Sequence, residues 1–206
     1  MKIMKQMPNT KIINPKILYY GFPVILLSTL NEDGTVNISP LSSSWVLGDC
    51  IILGIGLGGK AIENLEHHPE CVINIPDPSL WENVEQLAPY TGKNPVPDFK
   101  KQIGFTFRKE KCDISCLTPI GSTTVIPTRI MECPIQIEAK VKHIRIPDYS
   151  PNFAIVETQT TQVHAHEEII IDENHIDPNK WSPLIYNFRH YFGLGSSLGN
   201  NFRSEI

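Results

Sequence analysis

Apolar and polar residues alternate along several short stretches of the chain, and this alternation predicts β-strands. Residues 22–30 form a β-rich run that ends at the hairpin-turn signal Asn-Glu-Asp-Gly of 31–34. Residues 35–39 then alternate as the returning strand, and 135–142 predict a half-buried strand with one solvent-facing side. Further strands are predicted at 49–55, 71–75 and 153–171.

Helical spacing is confined to short stretches. Residues 60–68 place Ile62 and Leu65 on one helix face, and residues 79–87 show a second short helical pattern. Strands therefore outnumber helices and follow one another mostly through hairpins. We expect a mainly β fold with short helices, closed as a small antiparallel barrel.

Length and composition favour one ordinary globular domain over residues 1–206. Within it, residues 89–128 are predicted to be a long loop-rich insertion and 172–206 a C-terminal extension.

A net charge of −4 disfavours a nucleic-acid partner, and no apolar run is long enough for a membrane span. The N-terminus lacks the apolar stretch of a secretory signal, and the five cysteines form no CxxC motif. We therefore expect a cytoplasmic protein.

A glycine-rich segment precedes the first predicted helix. Gly54, Gly56 and Gly59 satisfy GxGxxG, the dinucleotide fingerprint, and GxxxxGK of nucleotide hydrolases ends at Lys60. Ala61 lacks the hydroxyl that a hydrolase uses to ligate magnesium, and hairpins replace the parallel βα units of a Rossmann fold. Two interpretations stay open: a phosphate cradle at a helix N-terminus, and a plain glycine-rich turn with a solvated lysine.

A polar segment lies upstream of these glycines. Residues 37–45, Asn-Ile-Ser-Pro-Leu-Ser-Ser-Ser-Trp, combine hydroxyls, an amide and an indole. Hydroxyls and turn amides suit the oxygens of a flavin, and an indole offers a face for packing beside its ring system. The alternative is a serine-rich crossover with Trp45 in the core.

The chain resembles the flavin reductase-like family in five segments that occur in the same order as in the family. They are 16–45, 52–60, 71–76, 134–141 and 183–195. The resemblance implies an FMN-binding split β-barrel with Greek-key connections, forming a homodimer with the flavin near the subunit interface. It implies flavin contacts from Asn37, Ser39, Pro40, Leu41, Ser42, Ser43, Ser44 and Trp45. Phosphate contacts would come from Gly59, Lys60, Ala61 and Asn64. The resemblance also implies that the C-terminal segment reaches towards the flavin site, which makes Arg189 and Tyr191 further candidates that could act across the dimer.

The resemblance implies a flavin reductase that transfers hydride from NADH or NADPH to FMN, with a partner monooxygenase or another flavin acceptor. Because hydride chemistry belongs to the cofactors, no catalytic acid–base residue is expected. The alternatives are a flavin-binding electron carrier without NAD(P)H turnover, a Rossmann-type protein and a non-redox ligand-binding barrel. No metal site is predicted, although His164 and His166 lie two apart on a predicted strand and point to one face.

Overall fold

A computed structural model describes residues 9–202 of the chain. The predictions for the extreme N-terminus and for residues 203–206 of the C-terminal extension lie outside this range. The α-helices are α1 (Lys60–His67), α2 (Trp81–Leu87), α3 (Asp98–Lys101) and α4 (Lys111–Ser115). The strands are β1 (Tyr20–Pro23), β2 (Ile25–Leu30), β3 (Val36–Leu41), β4 (Ser44–Leu47), β5 (Cys50–Gly56), β6 (Glu70–Ile75), β7 (Pro119–Ile120), β8 (Arg129–Ile130), β9 (Ile135–Arg145), β10 (Phe153–Ala165), β11 (Ile170–Asp172), β12 (His175–Ile176), β13 (Ile185–Asn187) and β14 (His190–Phe192).

The main sheet has seven strands in the order β3-β2-β6-β9-β10-β5-β4. Its edges are β3 and β4, yet only Ser42 and Ser43 separate these strands in the chain. In a flat sheet, six spacings of about 4.8 Å would place the edges roughly 29 Å apart. A link of this length spans on the order of 10 Å, so the sheet must curl until its edges meet. The prediction of a mainly β, split-barrel fold is confirmed.

Every pairing in this sheet is antiparallel. The strands on either side of the glycine-rich segment, β5 and β6, do not pair with each other. The Rossmann alternative is therefore wrong, because that fold needs neighbouring parallel strands joined by helices.

Strand β2 is buried on both faces, which explains why its sequence does not alternate. Ile25 and Leu27 belong to the barrel interior, where α1 contributes Ile62 and Leu65 as predicted. Leu26 faces a second core cluster between the sheet and α2. The helices α1, α2 and α4 all contact β3, so this strand lies between the barrel and the helices that cover it.

The predicted solvent-facing side of β9 is wrong for two of its residues. Gln136 is 3% exposed and Glu138 is 0% exposed, because the segment 119–130 covers them. Burial by itself raises the pKa of Glu138. Hydrogen bonds from the backbone and hydroxyls of Thr123 and Thr124 outweigh it and hold this pKa at about 2. Alternation identifies two strand faces but does not say what covers the second.

His164 and His166 have separate partners. His164 Nε2 lies 2.8 Å from Glu138 Oε1, whereas His166 Nε2 donates to the carbonyl of Met131 at 2.9 Å. Across residues 9–202 no group of three or more histidine, cysteine or acidic side chains is arranged to hold a metal ion. In the same range, no helix has the length and apolar character needed to cross a bilayer.

Candidate functional site

Two adjoining cavities lie at the end of β3, and Pro40, Leu41 and Thr91 line both of them. The larger has a volume of about 530 Å³, and its walls include Ser42, Arg189 and Tyr191. It therefore brings the serine-rich segment together with the two C-terminal residues predicted to join it. The smaller has a volume of about 100 Å³ and is lined by Ser39, Gly59 and Ala61 among others.

The smaller cavity lies against the beginning of α1. Gly59 is the N-cap of this eight-residue helix and supplies no side-chain cap to the first-turn N–H groups. A Cβ at Gly59 would lie 3.3 Å from the carbonyl oxygen of Gly56, so the turn accommodates a side chain poorly. The positive end of the helix dipole and the absent side chain suit an anion the size of a phosphate.

The lysine that lines this cavity is Lys100, which the sequence analysis missed. Lys100 Nζ donates to the carbonyl of Thr91 at 3.4 Å and lies 4.8 Å from the ring centre of Phe105. Burial lowers the pKa of Lys100. Lys60, the predicted cation, instead forms an ion pair with Glu63 at 2.5 Å and is not among the lining residues.

Asn37 and Asn64 are buried behind the smaller cavity, each 2% exposed. Both side-chain amides donate to Thr29 Oγ1 at 3.1 Å. Asn37 also donates to Ser39 Oγ at 3.2 Å, and Asn64 donates to Asn31 Oδ1 at 2.9 Å. Neither asparagine lines either of the two adjoining cavities, and their contacts hold Ser39 and the start of α1 in place.

Lys111 on α4 supplies a second cation that the sequence analysis missed. Its side chain is 2% exposed, and its Nζ donates to Asn37 Oδ1 at 2.6 Å. Burial, and then the nearby charge of Lys100, lower the pKa of Lys111 to about 7. Both lysines come from the region 89–128, which carried no recognisable motif.

The remainder of the serine-rich segment faces a third cavity of about 500 Å³. Ser43, Ser44 and Trp45 line it, and Tyr19 lines both this cavity and the larger one described above. The hydroxyls of Tyr19 and Ser43 lie 2.5 Å apart at this junction. Trp45 is 57% exposed, so the interpretation of this tryptophan as a core residue is wrong.

Arg189 and Tyr191 lie on the hairpin formed by β13 and β14. Arg189 adopts a left-handed backbone conformation, with φ of 68°. Its guanidinium forms no ion pair with any residue in the range 9–202. Tyr191 donates its hydroxyl to Glu85 Oε2 at 2.9 Å, and burial together with this bond raises the pKa of Tyr191. The tyrosine is therefore a hydrogen-bond donor at neutral pH.

Comparison with known proteins identifies the family. A family model described as a flavin reductase like domain matches residues 18–195. The chain is 68% identical over 195 residues to "Uncharacterized protein YdfE" of Bacillus subtilis (strain 168), covering 95% of this chain and 94% of that protein.

Solved structures share the fold at low sequence identity. Flavoredoxin of Desulfovibrio vulgaris (Miyazaki F) is 20% identical, with a TM-score of 0.78 and coverage of 95% of this chain and 99% of that one. Nitrilotriacetate monooxygenase component B from Bacillus cereus is 17% identical, with a TM-score of 0.73 and coverage of 94% and 100%. The sequence match across residues 18–195 and the shared architecture lead to one conclusion: this chain belongs to the flavin reductase-like family.

Proposed function

We propose that this protein binds FMN and transfers hydride from NADH or NADPH to it. The observation that carries the proposal is the pair of adjoining cavities at the end of β3. The larger cavity is big enough for a ring system. The smaller cavity has the size of a phosphate, and the N-terminus of α1 and Lys100 form part of its wall. The family membership supports a flavin as the ligand.

The smaller cavity is the proposed phosphate site. The N–H of Lys60 already donates to the carbonyl of Thr91 at 3.3 Å. The amides that follow it in the first turn of α1 and the ammonium group of Lys100 would bind the phosphate, while Ser39 is oriented by Asn37 to face the same space. Its volume of about 100 Å³ suits a monophosphate better than the dinucleotide tail of FAD. Of the predicted phosphate residues, Gly59 and Ala61 remain in this proposal, while Lys60 and Asn64 have other partners.

The larger cavity is the proposed site for the ring system. Pro40, Leu41 and Phe105 provide apolar walls, and Ser42 and Arg189 provide polar contacts. When bound, the flavin supplies the hydride acceptor, and water supplies the second proton. The contribution of the chain is then to position the two reactants and to exclude bulk water around them.

The experiment is a spectrum followed by a turnover assay. The purified protein, loaded with FMN, should show flavin absorbance and should oxidise NADH or NADPH steadily when free FMN is supplied. Bound flavin without steady oxidation would leave the electron-carrier alternative. A protein that binds no flavin would contradict both and leave a non-redox binding barrel.

The proposal includes a homodimer formed through β4. Trp45, Val46 and Leu47 on this edge strand are 57%, 60% and 74% exposed. Consecutive exposed apolar residues on a sheet edge favour pairing with another chain. Light scattering should give twice the chain mass for the wild type and a shift towards monomer for Trp45→Glu. A wild-type monomer at tens of micromolar, an ordinary assay concentration, would contradict this part of the proposal.

Reduced flavin would pass to a partner monooxygenase or another flavin acceptor. A protein with a related fold is described as a monooxygenase component, which supports this type of partner. All five cysteines are free thiols, as suits a reducing, cytoplasmic setting.

A further inference from the structure

Lys111 is a buried amine without an acidic partner. Its side chain is 2% exposed, and its Nζ donates to the neutral acceptor Asn37 Oδ1 at 2.6 Å. Among residues 9–202, no aspartate or glutamate forms an ion pair with it. An ammonium group has three donors and a full positive charge, so one amide oxygen compensates it incompletely. The described part of the chain therefore supplies no anion for the charged form of this lysine.

The smaller cavity lies close to this amine. Asn37, which accepts from Lys111, donates to Ser39 Oγ at 3.2 Å, and Ser39 lines the cavity. Across the width of one amide group, Lys111 Nζ therefore lies within about 8 Å of Ser39 Oγ. Lys100 lines the same cavity, and its charge acts on Lys111. One lysine thus lies in the wall of the proposed phosphate site and a second lies behind it.

The other ionisable groups around Lys111 leave Lys100 as the charge that acts on it. Strand β3, which contacts α4, carries no ionisable side chain. Helix α2, the turn before β3 and the residues beside Lys111 carry charges that are exposed and therefore screened by water: Asp33, Glu82, Glu85, Lys109, Glu110 and Asp113. Burial raises the pKa of the neighbouring Cys112, so its thiol is neutral. Glu132 is half-buried and accepts the backbone N–H of Thr118.

We propose that Lys111 is a proton-binding residue of the phosphate site, which takes up one proton from solvent when the phosphate dianion of FMN binds. This inference deepens the proposed function and rests on it. Lys111 does not line the cavity and acts through Asn37 and Ser39, so it is a positioning residue. Its ammonium form adds a second positive charge beside Lys100, which matches the two negative charges of a phosphate monoester.

The direction of the proton transfer follows from the charges. Burial, and then the charge of Lys100, lower the pKa of Lys111 to about 7, so at pH 8 the amine is mostly neutral before the phosphate binds. An anion within about 8–10 Å in a protein interior strengthens proton binding by a lysine roughly tenfold or more. By linkage, the affinity for the dianion must then fall as the pH rises above 7.

Calorimetric titration of the wild-type protein with FMN at pH 8, in buffers of different ionisation enthalpy, counts the protons. We expect an uptake of roughly half a proton or more per FMN bound. The phosphate is already a dianion at this pH and releases no proton itself. Riboflavin, which lacks the phosphate, should bind without uptake. FMN binding without proton uptake would overturn the inference.

Lys111→Met assigns the proton to this residue. The variant should bind FMN with little uptake at pH 8, whereas Lys101→Met, a 57% exposed position, should behave as the wild type. In the wild type, the ratio of FMN affinity to riboflavin affinity should fall roughly fivefold to tenfold from pH 7 to pH 9, and in Lys111→Met it should fall much less. Unchanged uptake in Lys111→Met would assign the proton to Lys100 and overturn the inference.

Asn37→Asp is a second test, which does not depend on how Lys111→Met folds. A carboxylate at this position supplies Lys111 with an internal anion, so the lysine should hold its proton before FMN binds and the uptake should disappear. Uptake equal to that of the wild type would contradict the inference. FMN binding without uptake overturns this inference alone, whereas a protein that binds neither FMN nor riboflavin contradicts the proposed function as well.

Discussion

The ammonium group of Lys111 donates a 2.6 Å hydrogen bond to Asn37 Oδ1 in the interior of the protein. The same asparagine donates to Ser39, which lines the smaller cavity. A buried charge is costly unless it is compensated, and the pKa of this lysine falls from 10.5 to about 7. Lys111 thus joins α4 to the strand that forms the site.

This lysine predicts a specific pH dependence of stability. Between about pH 7 and pH 10.5 the unfolded chain binds a proton that the native lysine does not, so the free energy of unfolding rises with pH. Lys111→Met should flatten this rise, as measured by urea unfolding at several pH values in that interval. Lys101→Met is the control, because its side chain is 57% exposed. The same slope in Lys111→Met and the wild type would contradict the prediction.

Substitutions of Lys100 and of Lys60, the first residue of α1, should differ in their effect on FMN affinity. Lys100→Met should weaken FMN roughly tenfold to a hundredfold, since it removes a charge-assisted contact from a partly buried phosphate site. Lys60→Met should change the affinity far less, because Lys60 already forms an ion pair with Glu63. Quenching of flavin fluorescence measures both affinities. A larger loss in the Lys60 variant would reverse this assignment of the phosphate site.

Glu138 should anchor the segment 119–130 to the barrel. Glu138→Gln removes a fully buried carboxylate that accepts four hydrogen bonds from Thr123 and Thr124. We expect a loss of about 2–4 kcal/mol at pH 7, measured by urea unfolding. The native pKa is depressed, so this contribution is present above the ordinary value of 4.5 and is lost as the pH falls towards about 2.

The control for Glu138 is Glu173→Gln, an exposed position where stability should not change. If Glu138→Gln is as stable as this control at pH 7, the carboxylate does not anchor the segment.

Gly58 packs directly against the side chains of Phe99 and Lys100 and so helps to position Lys100. A Cβ at Gly58 would lie 2.7 Å from Phe99 Cζ and 3.3 Å from Lys100 Cδ, so Gly58→Ala should displace both side chains. We expect FMN affinity to fall severalfold although no proposed flavin contact is replaced, because a small displacement weakens a charge-assisted bond. Gly121→Ala is the control, since its Cβ would meet nothing within 4 Å. Equal FMN affinity in the two variants would show that Lys100 is not positioned through Gly58.

The strands and the helix α1 could be predicted because their residues carry strong local periodicity and turn signals. The burial of Gln136 and Glu138 could not, because it depends on a distant segment that covers β9. Lys100 and Lys111 could not be found for the same reason: they lie on the short helices α3 and α4, in a region whose path is decided by tertiary contacts. The prediction of Lys60 as a phosphate ligand rests on its position after the glycines. That pattern takes no account of Glu63, which lies one turn along the helix and forms an ion pair with Lys60.

The ratio of FMN affinity to riboflavin affinity tests the central claim most directly, because these ligands differ only in the phosphate. Fluorescence titration of the wild-type protein should give FMN binding at least roughly tenfold tighter than riboflavin, as charge-assisted contacts at a helix N-terminus require. Lys100→Met should reduce this ratio. Equal affinities for FMN and riboflavin in the wild type would contradict the account, since no phosphate would then lie between α1 and Lys100.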